Sequence, residues 1–439
     1  MGLSLKLSPS CKTCLLMGWV EIYKELVNFL DKFDKERTLR FEGQLERKFV
    51  KLGDTLREEL VLEVVGSELK IAEDWVTFFK RTVTDTIKSL GLTEILMSRE
   101  LKSFVSDPMS HLKKKIIFYV HDLLRGVTTL EDFEKKAFAA VRTSLKTNMR
   151  TVYQDWIFLS LLILLAKRNG RIEYPEHGVL SLERSGKQKI GWIPPNAVIH
   201  VFGKGYLSFF IEAPRPIGWG DSKDLEKIWS LYTALRPDMM VYGERVMNIV
   251  ELSSNPPIKR PDIIIECKEL EDWFLRIREV RGPFAKPMTV ETWRSKWIEG
   301  LWDGLAGILG VERKKVKKEV EERKAIRLRD VNIVKLYNSL YKPKIMIIIS
   351  RTKTPRAVKR DLGANGIKVI DNVGFNPERL SSVCNLLLKN AGGEEFVEIR
   401  IKKEVYTELE RIAKSLGVSM EQALETVVKR FPKSSKRYH

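Results

Sequence analysis

Residues 262–268 read Asp262-Ile263-Ile264-Ile265-Glu266-Cys267-Lys268. Three aliphatic residues in a row mark an interior strand, yet a carboxylate and an ammonium follow them two positions apart. Side chains two apart on a strand project from the same face, roughly 6.6 Å from each other. Burying such charges costs several kcal/mol apiece unless they pair or bind a metal. A Glu-x-Lys at the end of an apolar strand therefore demands a reason.

The sequence around this strand alternates strand and helix signals. Upstream, Val179 to Leu182, Val198 to Phe202 and Tyr206 to Ile211 read as short strands, with Gly203-Lys204-Gly205 turning between the last two. A helix is expected over Ser222 to Leu235. Arg236-Pro237 ends it and opens a strand from Asp238 to Tyr242, and a further extended segment covers Val246 to Leu252. Downstream, a helix is expected from Thr289 to Ile308, then a solvated charged helix over Glu312 to Arg329. A buried strand Ile345 to Ile349, a helix near Pro355 to Leu362, a strand Lys368 to Asp371 and a helix Pro377 to Lys389 complete the pattern. Together they predict an α/β domain, a mixed sheet flanked by helices, over 149–391.

Before this domain, Trp19 to Met149 reads as helical throughout: apolar residues recur at three- and four-residue steps, as in Ile22, Leu26, Phe29 and Leu30. Gly53, Gly66, Gly91 and Asp107-Pro108 punctuate the helices of this region, 1–148. Tyr153 to Arg168 is apolar on nearly every face, which predicts a buried helix closed by Asn169-Gly170. After Gly392-Gly393 comes a third module, 394–439. It has an alternating strand Phe396 to Ile401, a helix stopping at Gly417, and a second helix opened by Ser419 with Gln422 as a capping box.

Composition bounds the partners. The chain has 439 residues, 77 Lys+Arg against 58 Asp+Glu, and a net charge of +19, which favours a polyanion, with nucleic acid foremost. Ile157 to Ala166 is about half of the roughly 20 apolar residues a bilayer span requires, so no membrane partner is expected. The opening residues make a poor signal peptide, and four cysteines are too few for a disulfide framework, so a cytoplasmic address is expected. Cys11 and Cys14 form a single C-x-x-C with no second ligand pair to complete a zinc site.

Arg236-Pro237-Asp238, Glu266-Cys267-Lys268 and the helix Tyr153-Gln154-Asp155-Trp156 together resemble the PD-(D/E)xK nuclease superfamily, the restriction-endonuclease-like fold. The last module resembles a ribbon-helix-helix. The resemblance implies metal-dependent DNA hydrolysis with Mg²⁺ or Mn²⁺ held by Asp238, Glu266 and the backbone carbonyl of Cys267. Lys268 would orient the attacking water or stabilise charge on the phosphate.

Two Pro-Asp pairs compete for the upstream carboxylate. Asp262 and Glu266 on one continuous strand have Cα atoms roughly 13 Å apart, whereas metal oxygens must come within about 2.1 Å of one ion. Asp238, on a separate strand, is preferred, with Asp262 second. A bend after Asp262, or pairing of the Glu251 strand beside Glu266, would reverse that order. Asp155 is a further metal candidate, weakened because Gln154 stands where the family usually has glutamate.

Lys342 to Arg360 holds seven Lys or Arg residues and no acid, and Arg351, Lys353, Arg356, Lys359 and Arg360 follow the strand Ile345 to Ile349, where a DNA-facing edge is expected. Trp273, Trp293, Trp297 and Trp302 are candidates to stack on unpaired bases, but the near-helical spacing of the last three favours packing in a core. A single strand cannot make a sheet alone, so the ribbon-helix-helix resemblance implies a homodimer, with Glu398, Arg400 and Lys402 as base readers. The N-terminal helices are expected to pack or to bind a protein partner.

Overall fold

The computed structural model describes residues 18–183, 193–213, 236–251, 254, 258–280, 305–316, 318, 326–393 and 401–430. The chain divides into two compact units, Met1–Gly393 and Glu394–His439.

In the first unit the apolar periodicity of the opening residues becomes α1 (Trp19–Phe33) and α2 (Gly43–Leu90), followed by β1 (Glu94–Leu96) and the short helices α3 (Arg99–Ser106), α4 (Pro108–Lys115) and α5 (Ile117–Leu124). Capping residues explain the breaks. Ser98 accepts the Leu101 amide, Asp107 accepts the Ser110 amide with Pro108 at the first helical position, and Gly91 ends α2 at φ 65°. Gly53 and Gly66, expected to interrupt, are carried inside α2, where the one departure from helical geometry is Val65 (φ −144°) beside Gly66. β1, unexpected in a stretch read as wholly helical, pairs in parallel with β3 (Val179–Ser181).

Helix α6 (Leu130–Ala166) decides the domain organisation. Thr129 caps it by accepting the Asp132 amide, and it then runs for 37 residues without interruption. Its first half packs with the N-terminal helices and its second half lies under the sheet, so Trp19, Phe79 and Val141 share one core with Ile263, Ile265 and Cys267. The division expected after residue 148 therefore falls inside a helix and through a common core. α6 is also the one described helix long and apolar enough to cross a membrane, and 72% of its apolar window is buried within the protein.

The sheet has seven strands in the order β11-β10-β7-β6-β5-β4-β2. These are β2 (Gly170–Tyr174), β4 (Ala197–Val201), β5 (Gly205–Ile211), β6 (Met239–Tyr242), β7 (Ile263–Lys268), β10 (Ile345–Ser350) and β11 (Ile367–Ile370). β7, β10 and β11 run parallel, and the remaining neighbours are antiparallel. The protein is thus mixed α/β. Alternation along β7 sends Ile263, Ile265 and Cys267 toward α6, and Ile264 toward α7 (Asp330–Tyr341) with its Tyr337 and Tyr341. Each such fully buried aliphatic side chain contributes about 1.5–3 kcal/mol.

Four elements lie where another structure, or none, was expected. β2, at the sheet edge, follows Asn169 (φ 62°) directly. β8 (Ile277–Val280) pairs with β9 (Ile326–Arg329), so the charged run ends as a strand rather than a helix. Helix α7 follows without a warning Pro or Gly, because Asp330 is held by Arg278 of β8 instead of a local cap. Over 246–251, expected as a strand, there is only an isolated bridge between Val250 and Ile258.

The unit closes with α8 (Arg356–Ala364), a 3-10 turn Pro377–Leu380 and α9 (Ser381–Asn390). In the second unit, α10 (Lys403–Leu416) ends at Gly417 (φ 65°). α11 (Met420–Arg430) opens on the expected capping box: the Gln422 amide donates to Ser419 Oγ (3.2 Å) and the Ser419 amide to Gln422 Oε1 (3.1 Å). The expected helix 222–235, most of the helix from Thr289, Trp293, Trp297 and Trp302, Cys11 and Cys14, residues 396–400 with Glu398 and Arg400, and the tail from Phe431 all lie outside the described residues.

Candidate functional site

β6 and β7 are antiparallel, with Met239 opposite Ile265 and Met240 opposite Ile264. One step beyond the paired residues, this register sets Asp238 across from Glu266. Residues 28 apart in the chain thereby become neighbours, and their bonds interlock. The Asp238 amide donates to Glu266 Oε1 (2.9 Å), and the Cys267 amide donates to Asp238 Oδ2 (2.8 Å). Lys268 Nζ donates to Glu266 Oε2 (2.9 Å) and stands 5.8 Å above the ring of Trp273, which is buried as core.

Arg150 completes the cluster from α6. Its guanidinium donates to Asp238 Oδ1 (2.8 Å) and keeps 31% of its side chain exposed, whereas the carboxylates and Lys268 are buried. Gln154, one turn further along the helix, donates to the Asp238 carbonyl (3.5 Å). Sequence reading missed Arg150. Its only signal is the four-residue spacing from Gln154, which puts both on the helix face turned to Asp238.

The two carboxylates titrate differently because their neighbours differ. Burial opposes ionisation of Asp238, but the charges of Arg150 and Lys268 and the Cys267 amide outweigh it and hold the carboxyl below its usual value. Glu266 is pushed above its usual value by burial and by the charge of Asp238, which Lys268 only partly offsets. All four carboxylate oxygens accept a hydrogen bond, and two cations face two anions.

The other expected residues are distributed as follows. Asp262 sits at the far end of β7, where Gly243 donates its amide to Oδ2 (2.6 Å) and Lys344 pairs with Oδ1 (2.6 Å). The strand stays continuous, so Asp262 is not brought to Glu266. Cys267 contributes its amide, and its thiol is buried toward α6. Asp155 is 1% exposed and its Oδ2 has no hydrogen-bond partner; burial, and then the charge of Glu212, drive its carboxyl well above the usual range. Among the described residues no group of three or more His, Cys, Asp or Glu side chains gathers as a metal-binding set.

The basic segment begins beside the cluster. Arg351 donates its amide to the Lys268 carbonyl (2.9 Å) and Nε to the Glu269 carbonyl (2.7 Å), and its guanidinium lies 5.0 Å over Trp75. These contacts make it a structural clasp. Lys359 pairs with Asp371 (2.7 Å). Lys353, Arg356 and Arg360 are exposed, as is Lys402 in the second unit. No protein-family model, curated protein or solved structure matches the chain.

Proposed function

We propose that the chain is a Mg²⁺- or Mn²⁺-dependent DNA endonuclease of restriction-endonuclease-like architecture, cytoplasmic and dimeric through a ribbon-helix-helix at 394–439. The observation that carries this reading is the β6–β7 register, which sets Asp238 opposite Glu266 with Lys268 on the same strand. Two buried, adjacent carboxylates, one of them raised by burial and then by the other's charge, fit a divalent ion by charge and proximity. Asp238 and Glu266 would hold it, and when bound it polarises the scissile phosphate and lowers the pKa of water.

The protein's own groups supply the rest. Lys268, held over Trp273 and bonded to Glu266, would supply the ammonium that offsets charge developing on the phosphate. Arg150, the one partly exposed cation of the cluster, would have to give up Asp238 Oδ1 for an ion to reach it. Lys353, Arg356 and Arg360 suit contact with the DNA backbone. Among the described residues of the second unit, Leu409, Ala413 and Ala423 are buried with Ile412, Met420 and Val427 packed against them, while Val405, Tyr406 and Leu424 stay exposed, which supports completion by a second copy.

A second reading has one observation in its favour: every carboxylate oxygen of the cluster is already engaged. It makes the protein a DNA-binding regulator with an inactive nuclease-like domain. Incubation of wild type and Lys268→Ala with plasmid, linear and branched DNA, in Mg²⁺, Mn²⁺ or EDTA, separates the two. The nuclease reading expects wild-type cutting that EDTA stops and Lys268→Ala lacks. Equal cutting by both proteins eliminates the assigned site, and binding without cutting leaves the regulator.

A further inference from the structure

Two large aliphatic side chains stand in solvent just past the Glu266-x-Lys268 strand. Leu275, in the turn after β7, is 60% exposed, and Ile277, which opens β8, is 61% exposed. They border a cleft of about 440 Å³ whose other walls are the half-buried ring of Phe274, the end of β9, the first turn of α7, and Val358 of α8. The volume lies within the roughly 300–1,000 Å³ of sites that take an organic group.

Charge narrows the class of occupant. Arg327 and Arg329 line the cleft, and both are exposed. The β8–β9 register sets Glu279 opposite Arg327 but the aliphatic Ile277 opposite Arg329, so across the strand pair Arg329 meets no carboxylate. The acid among the lining residues, Asp361, is already paired with Lys335 at 2.8 Å. Arg356 and Arg360, exposed on α8, extend the positive field beyond the rim. A cationic rim over an apolar floor suits an anion that carries a flat apolar face.

A nucleotide outside a duplex has both parts, a phosphate for the arginines and a bare base for Phe274. Asn332, also in the lining, offers a donor and an acceptor to a base edge. A paired base keeps its faces stacked on its neighbours and cannot enter. The cleft also lies close to the carboxylate cluster: the Phe274 ring is 6.0 Å from that of Trp273, which itself lies 5.8 Å from Lys268 Nζ. We infer that this cleft takes an unpaired nucleotide of DNA, its base against Phe274 and its phosphates on Arg329 and Arg327. The inference rests on DNA being the partner, as proposed above, and it makes DNA with a single-stranded segment the substrate class.

Fluorescence anisotropy of the full chain in EDTA, where nothing is cut, tests it with three labelled probes: an oligothymidylate, an abasic strand of the same length, and a blunt duplex. Wild type should bind the oligothymidylate at least about fivefold more tightly than the abasic strand, the contribution of one stacked base. Phe274→Leu, which keeps the apolar bulk, and Arg329→Gln, which changes an exposed side chain, should each lose about that factor on oligothymidylate while duplex binding stays within about twofold. The inference is overturned if the abasic strand binds as well, if both variants hold oligothymidylate like wild type, or if they lose duplex affinity equally. It is also overturned if a glutamate-rich apolar peptide binds in a Phe274-dependent way and DNA does not. Failure of every DNA probe to bind removes the DNA partner together with this site, whereas the expected binding without cutting in Mg²⁺ supports the site and removes only the nuclease.

Discussion

Arg150 and Asp155 lie five positions apart on one helix and meet opposite electrostatic fates. Arg150 neutralises Asp238 at 2.8 Å, so its removal leaves two buried carboxylates facing Lys268 alone. Breaking a buried pair costs about 3–5 kcal/mol; here about 2–3 is expected, because the guanidinium is 31% exposed. Arg150→Met should therefore melt lower than wild type in EDTA and regain more stability than wild type when Mn²⁺ is added. Thermal melts in EDTA and in Mn²⁺ check this, and an equal response to Mn²⁺ in both proteins would contradict metal binding at Asp238.

Asp155 gives a prediction in pH. Its folded pKa lies above the ordinary 3.8, so the folded state holds the proton that the unfolded chain loses. Stability is then fully present below about that ordinary value and falls as pH rises toward the folded value, by up to about 1.4 kcal/mol per pH unit. Asn reproduces the neutral form without titrating. Asp155→Asn should match wild type near pH 4 and exceed it increasingly toward neutrality, as read by urea denaturation across that range. A constant difference at all pH values would show that the carboxyl ionises normally.

Among the elements, the turn after β6 runs close against the end of α9. Gly243 donates to Asp262, and a Cβ there would collide with the carbonyl oxygen of Asn390 at the end of α9. Backbone cannot retreat as a flexible side chain can, so Gly243→Ala should cost about 2–3 kcal/mol. Gly307, in a helical stretch with open space around it, is the control. Gly307→Ala should be neutral or stabilise by up to about 1 kcal/mol. Urea midpoints of the two variants decide the comparison.

At the largest scale, α6 joins the N-terminal helices and one face of the sheet through a shared core. Expressed separately, 1–148 and 149–439 would each cut this helix and bare half of the shared core. Neither fragment should show a cooperative thermal transition by circular dichroism, while the intact chain should. The net charge of +19 predicts DNA affinity that falls steeply and linearly in log-log form with salt. A fluorescence-anisotropy series between about 50 and 200 mM salt, the range over which phosphate contacts lose most of their affinity, measures the slope. A flat line would remove the polyanion partner altogether.

The features legible in the chain alone are local in origin. Aliphatic runs gave β7 and β10, an apolar helix gave the second half of α6, and Ser419 with Gln422 gave the start of α11, because short-range sterics and capping bonds act within a few residues. The Glu266-x-Lys268 pair was also legible, since alternation alone puts both on one face. Tertiary structure decided the rest. That Asp238 and not Asp262 meets Glu266 follows from the β6–β7 register, and that the chain is continuous at residue 148 follows from a core built by residues hundreds of positions apart. The roles of Arg150 and of the buried surroundings of Asp155 were silent in one dimension. A charge acquires a partner, and a carboxyl loses its water, only when distant elements pack against it.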